Sequence, residues 1–122
     1  MKITSFNPSI ITSKFDETVA LFEALGFQRA HRQEGIEGKN INSTRMRNAD
    51  GFHVDVTFVE GVPQDMTQIR MNVDDIEEAV KLLEAKGFVN ALGRIVDQGS
   101  SLNAQMRSQS GFMLTVVHHV KK

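Results

Sequence analysis

The chain states its architecture twice. The stretch FDETVALFEALGF, Phe15 to Phe27, returns without a gap as IEEAVKLLEAKGF, Ile76 to Phe88. Each residue of the first copy stands 61 positions ahead of its partner, so Glu17 falls on Glu78, Val19 on Val80, Glu23 on Glu84, Gly26 on Gly87 and Phe27 on Phe88. A repeat at fixed spacing sets the building unit before any residue is given a task. Here that unit is half of the chain.

Each copy reads as an amphipathic helix with a stop signal. Phe15, Val19 and Phe22 share a face with Thr18, and Ile76, Ala79, Val80 and Leu83 repeat the spacing that turns side chains onto one surface. Glu23 and Glu84 then lie toward water. Ser13 and Asp74 stand just ahead of the helices, where a side-chain oxygen accepts from the open N–H groups of the first turn. Gly26 and Gly87 follow the last turn, where a left-handed residue closes the helix.

With 122 residues, 40% of them hydrophobic and 24% charged, the chain is of single-domain size. A half of roughly 60 residues buries a marginal core, so the expectation is one domain over residues 1–122, made of two modules of about 1–61 and 66–122 that share a core. The formal charge of -1, from 14 basic and 15 acidic residues, gives no electrostatic reason to expect nucleic acid or an anionic membrane as a partner. The chain has no cysteine, which excludes disulfides and thiolate chemistry. The opening MKITSFNPSI lacks the apolar run of a signal peptide, and no segment reaches the length of a membrane span. A cytoplasmic protein is the expectation.

The strands follow from alternation and turns. Ser5 to Thr12 is a first strand broken early by Pro8, with Gln68 to Val73 as its repeat partner. Gln28 to Glu34, Ile41 to Arg47 and Phe52 to Val59 complete the first copy, the last two joined by a turn at Asn48 to Gly51. In FHVDVTFV the apolar Phe52, Val54, Val56 and Phe58 alternate with His53, Asp55, Thr57 and Val59, which makes one packing face and one mostly polar face. The second copy continues with Val89 to Val96, Leu102 to Arg107 and Phe112 to Val120. MRNADGFHV, Met46 to Val54, aligns there with MRSQSGFML, Met106 to Leu114, at a spacing of 60. The predicted class is α+β: two βαβββ repeats pairing into one domain, with a curved mixed β-sheet around a cavity.

ALFEALGF, NVDDIEEAVKLLEAKGF and SGFMLTVV, set in two βαβββ copies, resemble the vicinal oxygen chelate superfamily of glyoxalase I, bleomycin-resistance proteins and extradiol dioxygenases. The resemblance covers nearly the whole chain; its motifs are specific for the fold and weak for any one activity. Enzymes of that superfamily draw His, Gln or Glu metal ligands from the first and last strands of each copy. Carried over by position, those ligands fall on Asn7, Gln68, Asp55 and Thr115. Divalent transition metals favour imidazole and carboxylate donors, and only Asp55 brings charge. Threonine at 115 also has no pKa suited to moving a substrate proton near neutral pH.

The polar strand faces implied by the resemblance carry Asn7, Ser9, His53, Asp55, Thr57, Gln68, Arg70, Asn72, Met113 and Thr115. Arg70 either holds an anionic ligand or pairs with Asp55. Met46, Met71 and Met106 read as core filler, and the facing of Arg45, Arg47 and Arg107 depends on the turn register. The loops Gly35 to Lys39 and Gln98 to Ser101 are expected as rims of the pocket. No catalytic residue emerges. The leading expectation is a small-molecule-binding protein without a catalytic metal or other cofactor, a homodimer by the same resemblance. The alternative is a metal-dependent glyoxalase-like lyase, isomerase or dioxygenase that uses Asp55 with His53 or Gln68.

Overall fold

The computed structural model describes residues 1–34 and 42–120. Two compact units emerge: Asn7–Thr67, called here the first unit, and Met1–Phe6 with Gln68–Lys122, the second. Strand β1, Ile3–Thr12, contributes residues to both. Among the described residues, no helix is long and apolar enough to cross a membrane.

In the first unit β1 is followed by helix α1, Phe15–Ala24, and strands β2, Gln28–Glu34, β3, Asn42–Arg47, and β4, His53–Phe58. They lie in the order β2-β3-β4-β1. The β2/β3 and β3/β4 pairs are antiparallel and β4/β1 is parallel, so the sheet is mixed. Phe15 and Val19 of α1 pack on Met46, Val54 and Val56, with Ile10, Phe22, Phe27 and Phe58 around them. This is the helical face read from the sequence. Phe52 departs from its expected place: it precedes β4, sits in the turn and is 67% exposed. The turn itself forms where the Asn48 to Gly51 segment predicts it, closed by Asn48 N–H to Phe52 O at 3.1 Å and Gly51 N–H to Asn48 O at 3.1 Å.

The second unit holds β5, Met66–Val73, from Gln68 onward, helix α2, Ile76–Ala85, and strands β6, Val89–Asn90, β7, Val96–Asp97, β8, Ser101–Arg107, and β9, Met113–His119. Its order is β5-β9-β8-β6, with β7 also on β8. Ile76, Ala79, Val80 and Leu83 cover Met71, Val73, Ala104, Met106, Leu114 and Val116. Met46, Met71 and Met106 are therefore core residues.

Three local expectations are corrected. Strand β1 runs unbroken through Pro8. Its parallel pairing with β4 extends from Ser9 to Thr12, so Pro8 stands just ahead of the ladder, where its missing N–H costs nothing. The single strand expected over Val89 to Val96 is two short ones, because Asn90 and Gly93 form a tight turn between them: Gly93 N–H donates to Asn90 O at 3.0 Å and Leu92 N–H to Asn90 Oδ1 at 3.2 Å. The helix caps also shift. Asp75, not Asp74, caps α2 by accepting from Glu78 N–H at 3.1 Å, and α1 starts at Lys14 with no side-chain cap from Ser13. Asp74 instead accepts the Lys2 N–H at 2.6 Å. Gly26 and Gly87 follow the last helical turns at φ 101° and 95°, as the C-terminal signal requires.

Candidate ligand-binding faces

Within a sheet, residues paired across strands project to the same side. In the first unit the side away from α1 carries a cross-strand series: Arg47 opposite His53, Arg45 opposite Asp55, and Ser43 opposite Thr57. Ser9 of β1 is paired with Asp55 and Ile11 with Thr57. The sequence-predicted Asn7, Ser9, His53, Asp55 and Thr57 are thus brought together on one face.

Asp55 is its centre. The residue is 3% exposed, and both carboxylate oxygens are engaged: Arg45 Nε donates to Oδ1 at 3.0 Å, Asn7 Nδ2 to Oδ2 at 2.9 Å, and a second Arg45 nitrogen reaches Oδ2 at 3.4 Å. A buried carboxylate is tolerated when a paired cation and hydrogen bonds replace its water, and Arg45 with Asn7 supplies both. Beside this pair, Arg47 Nε donates to His53 Nε2 at 2.8 Å. That nitrogen of the imidazole is therefore the acceptor, and the ring proton lies on Nδ1. Ser43 and Thr57 hydroxyls lie 3.2 Å apart.

Asn7 carries the most informative atom. Its Nδ2 donates to Pro8 O and to Asp55 Oδ2, both at 2.9 Å. Two acceptors fix the amide orientation, since the flipped amide would set oxygen against oxygen. Among the described residues, Asn7 Oδ1 is then left buried with no hydrogen-bond partner. Two residues earlier on the strand, Ser5 Oγ is likewise buried and has no partner among the described residues.

The second unit repeats the register with other chemistry. Thr115 is opposite Gln105 and Met113 opposite Arg107, while Arg70 of β5 pairs with Thr115 and Asn72 with Val117. Thr115 Oγ1 donates to Gln105 Oε1 at 3.0 Å, and Arg70 Nε to Asn72 Oδ1 at 3.3 Å. Thr115 and Asn72 are buried, whereas Gln68, Arg70 and Met113 are half-buried. This places all five predicted residues of the second copy on one face of their unit. The Gln98 to Ser101 segment is tied by Gln98 N–H to Ser101 O at 2.9 Å and Gly99 N–H to Asp97 Oδ1 at 2.8 Å. The other expected rim, Gly35 to Lys39, lies outside the described residues.

Sequence reasoning left the third-strand arginines unplaced. The signal was present in the turn: once Asn48 closes on Phe52, counting outward sets Arg47 against His53 and Arg45 against Asp55. Arg107 takes the equivalent place against Met113.

The donor set does not fit a divalent cation. Of the four positions that the resemblance assigns to a metal, Asn7 and Asp55 are in the first unit, and Gln68 and Thr115 in the second. Asp55 is the one charged donor, and its charge is already matched by Arg45 at 3.0 Å. A cation there would displace or repel that guanidinium, while Asn, Gln and Thr contribute only neutral oxygens. Among the described residues no group of three or more His, Asp or Glu side chains is gathered.

No family model and no curated protein matches the chain. Solved structures do. A glyoxalase/bleomycin resistance protein/dioxygenase superfamily member from Vibrio splendidus matches with a TM-score of 0.65 at 13% identity, over 96% of this chain and 99% of that one. A variant of methylmalonyl-CoA epimerase from Streptomyces coelicolor, in complex with 2-nitronate-propionyl-CoA, matches with a TM-score of 0.68 at 14% identity, over 98% and 100%. A variant of glyoxalase I from Zea mays gives 0.71 at 16% identity, over 98% of this chain and 44% of that one. The chain has the vicinal oxygen chelate fold.

Proposed function

We propose that the chain is a small-molecule-binding protein that works without a catalytic metal and takes an organic ligand on its polar strand faces. The observation that carries this reading is the state of Asp55. The one carboxylate among the candidate metal positions is spent on Arg45 and Asn7, and its repeat partner is the neutral Thr115. Such a face recognises polar organic groups by hydrogen bonds; it lacks the clustered anionic donors that a divalent ion needs. The solved structures of this fold support the ligand class, since the epimerase is complexed with an acyl-CoA analogue. A homodimer in the cytoplasm belongs to the same reading. Exposed apolar side chains, Leu25 and Phe52 in the first unit and Leu92 and Phe112 in the second, offer a second copy surface to cover.

Elemental analysis of the purified protein, before and after incubation with Ni, Zn, Mn and Fe(II), tests the metal arm. Substoichiometric metal and unchanged melting temperatures are expected. Stoichiometric metal that is lost in Asp55→Ala overturns the reading and directs work toward lyase or dioxygenase chemistry. A thermal-shift screen against polar metabolites tests the ligand arm, and light scattering tests the dimer.

A further inference from the structure

We propose that the first unit's polar face is a site for a small organic acid that carries an N–H donor next to its carboxylate, the N–H going to Asn7 Oδ1 and the carboxylate to Arg47. The inference rests on the reading that a strand face binds a small molecule, and it names the face and the ligand class.

The donor arm comes from Asn7. Its oxygen is buried, its orientation is fixed by two acceptors on the nitrogen side, and among the described residues no group donates to it. Leaving a buried acceptor unpaired is unfavourable, so the position selects an incoming donor and discriminates against a ligand that lacks one. An N–H fits there and a second acceptor does not, because the amide oxygen can only accept.

The anionic arm comes from charge. Arg45 and Asp55 neutralise one another. Arg47 is exposed, and among the described residues its contact is the acceptor nitrogen of His53, which brings no negative charge. Among the described residues the face thus holds two guanidinium groups, Arg45 and Arg47, against the one carboxylate of Asp55. Its surplus is positive, and a planar guanidinium at the rim suits a carboxylate.

Register ties the two arms together. The parallel β1/β4 ladder begins with Ser9 paired to Asp55; Asn7 and His53 each stand two residues before that pair, on its side of their strands, and His53 is opposite Arg47. The acceptor, the imidazole and the guanidinium form one row over three strands, spaced at about 4.8 Å per strand. A molecule whose N–H and carboxylate are separated by a single carbon, with a hydrogen bond of about 3 Å at each end, has that span. Asn7 is 4% exposed and Arg47 is open to solvent, so the N–H end enters first and the carboxylate stays at the rim.

The test is an NMR titration of the full-length labelled protein with three matched probes: N-acetylglycine, N-acetylsarcosine, which lacks the N–H, and N-acetylglycinamide, which lacks the carboxylate. N-acetylglycine is expected to move the signals of Asn7, His53 and Arg47, and each of the other probes to bind about tenfold more weakly. Asn7→Leu, with Asn7→Ser as a second variant should the first misfold, removes the preference over N-acetylsarcosine. Arg47→Gln removes the preference over N-acetylglycinamide. Equal binding of all three probes to the unaltered protein overturns the inference. Shifts confined to Gln68, Arg70 and Thr115 overturn it too, while leaving small-molecule binding intact; no shift from these probes or from a broad metabolite library defeats both.

Discussion

The two units share a register and differ in chemistry. Arg45 opposite Asp55 and Gln105 opposite Thr115 occupy equivalent places on β3/β4 and β8/β9, as do Arg47 opposite His53 and Arg107 opposite Met113. The first unit fills its place with an ion pair at 3.0 Å, the second with a neutral hydrogen bond of the same length. On the helix side the equivalence is much closer: Val54 and Val56 stand where Leu114 and Val116 stand, and Met46 where Met106 stands. The backbone pattern is therefore held by the apolar face and the glycine turns, and the polar face is left to be specified separately in each unit. Function is to be sought where the copies disagree.

The largest effects are expected where they agree. Met46 on β3 and Met106 on β8 are both fully buried in the core beneath the helix of their unit. Met46→Ala and Met106→Ala each remove several buried heavy atoms and leave a cavity, a loss of about 3 kcal/mol. Urea denaturation of the two variants should give losses equal to within about 1 kcal/mol. A large inequality would show that the two cores are not equivalent and would break the comparison at its base.

How much of this was legible depends on which interactions encode it. The helices and the burial of Phe15, Val19, Ile76, Ala79, Val80 and Leu83 follow from spacing alone, because apolar burial is non-directional and periodicity reports it well. The helix starts were missed by one residue. A cap depends on where a single side-chain oxygen points, and two adjacent aspartates, Asp74 and Asp75, divide the work between Lys2 N–H and Glu78 N–H. Strand alternation sorts residues by side, so within each unit the polar residues singled out from the sequence share one face. Its internal pairings were not readable, because they turn on the register of β3 against β4, and a slip of one residue would send Arg45 to the opposite face. The unpartnered oxygen of Asn7 is invisible to sequence altogether: it arises from where Pro8 O and Asp55 Oδ2 lie around one amide.

The disagreement between the units can be sharpened by converting one into the other. Arg45→Gln alone leaves Asp55 buried beside Asn7 without its guanidinium, and is expected to cost about 2 to 3 kcal/mol. Asp55→Thr alone costs less, about 1 to 2 kcal/mol, because Arg45 keeps a side chain 22% exposed and turns to water. The double variant reproduces the Gln105 and Thr115 arrangement and should recover most of the loss, to within about 1 kcal/mol of the starting protein. Strict additivity of the two single losses would mean that the pair is not coupled, and that its charge is held for a reason other than mutual neutralisation.

The smallest effect lies at the helix starts, where the copies also part. Asp75 accepts from Glu78 N–H at 3.1 Å, whereas Lys14, at the matching place before α1, offers no side-chain oxygen. Asp75→Ala should therefore destabilise by about 1 kcal/mol, and Lys14→Ala by a few tenths at most. The reverse change is more telling. Lys14→Asp gives α1 the cap that α2 already has, but places a third carboxylate at a turn that contains Asp16 and Glu17. The cap and the helix dipole favour the new aspartate, and the nearby like charges oppose it. Since the hydrogen bond is short-ranged and the repulsion is screened, raising the salt from about 0.05 to 1 M should turn a near-neutral substitution into a stabilising one. A melting temperature of Lys14→Asp that stays level with the unaltered protein across that range would mean the first turn of α1 cannot accept a cap at all, and that the two helices start by different geometries rather than by the same geometry with one residue changed.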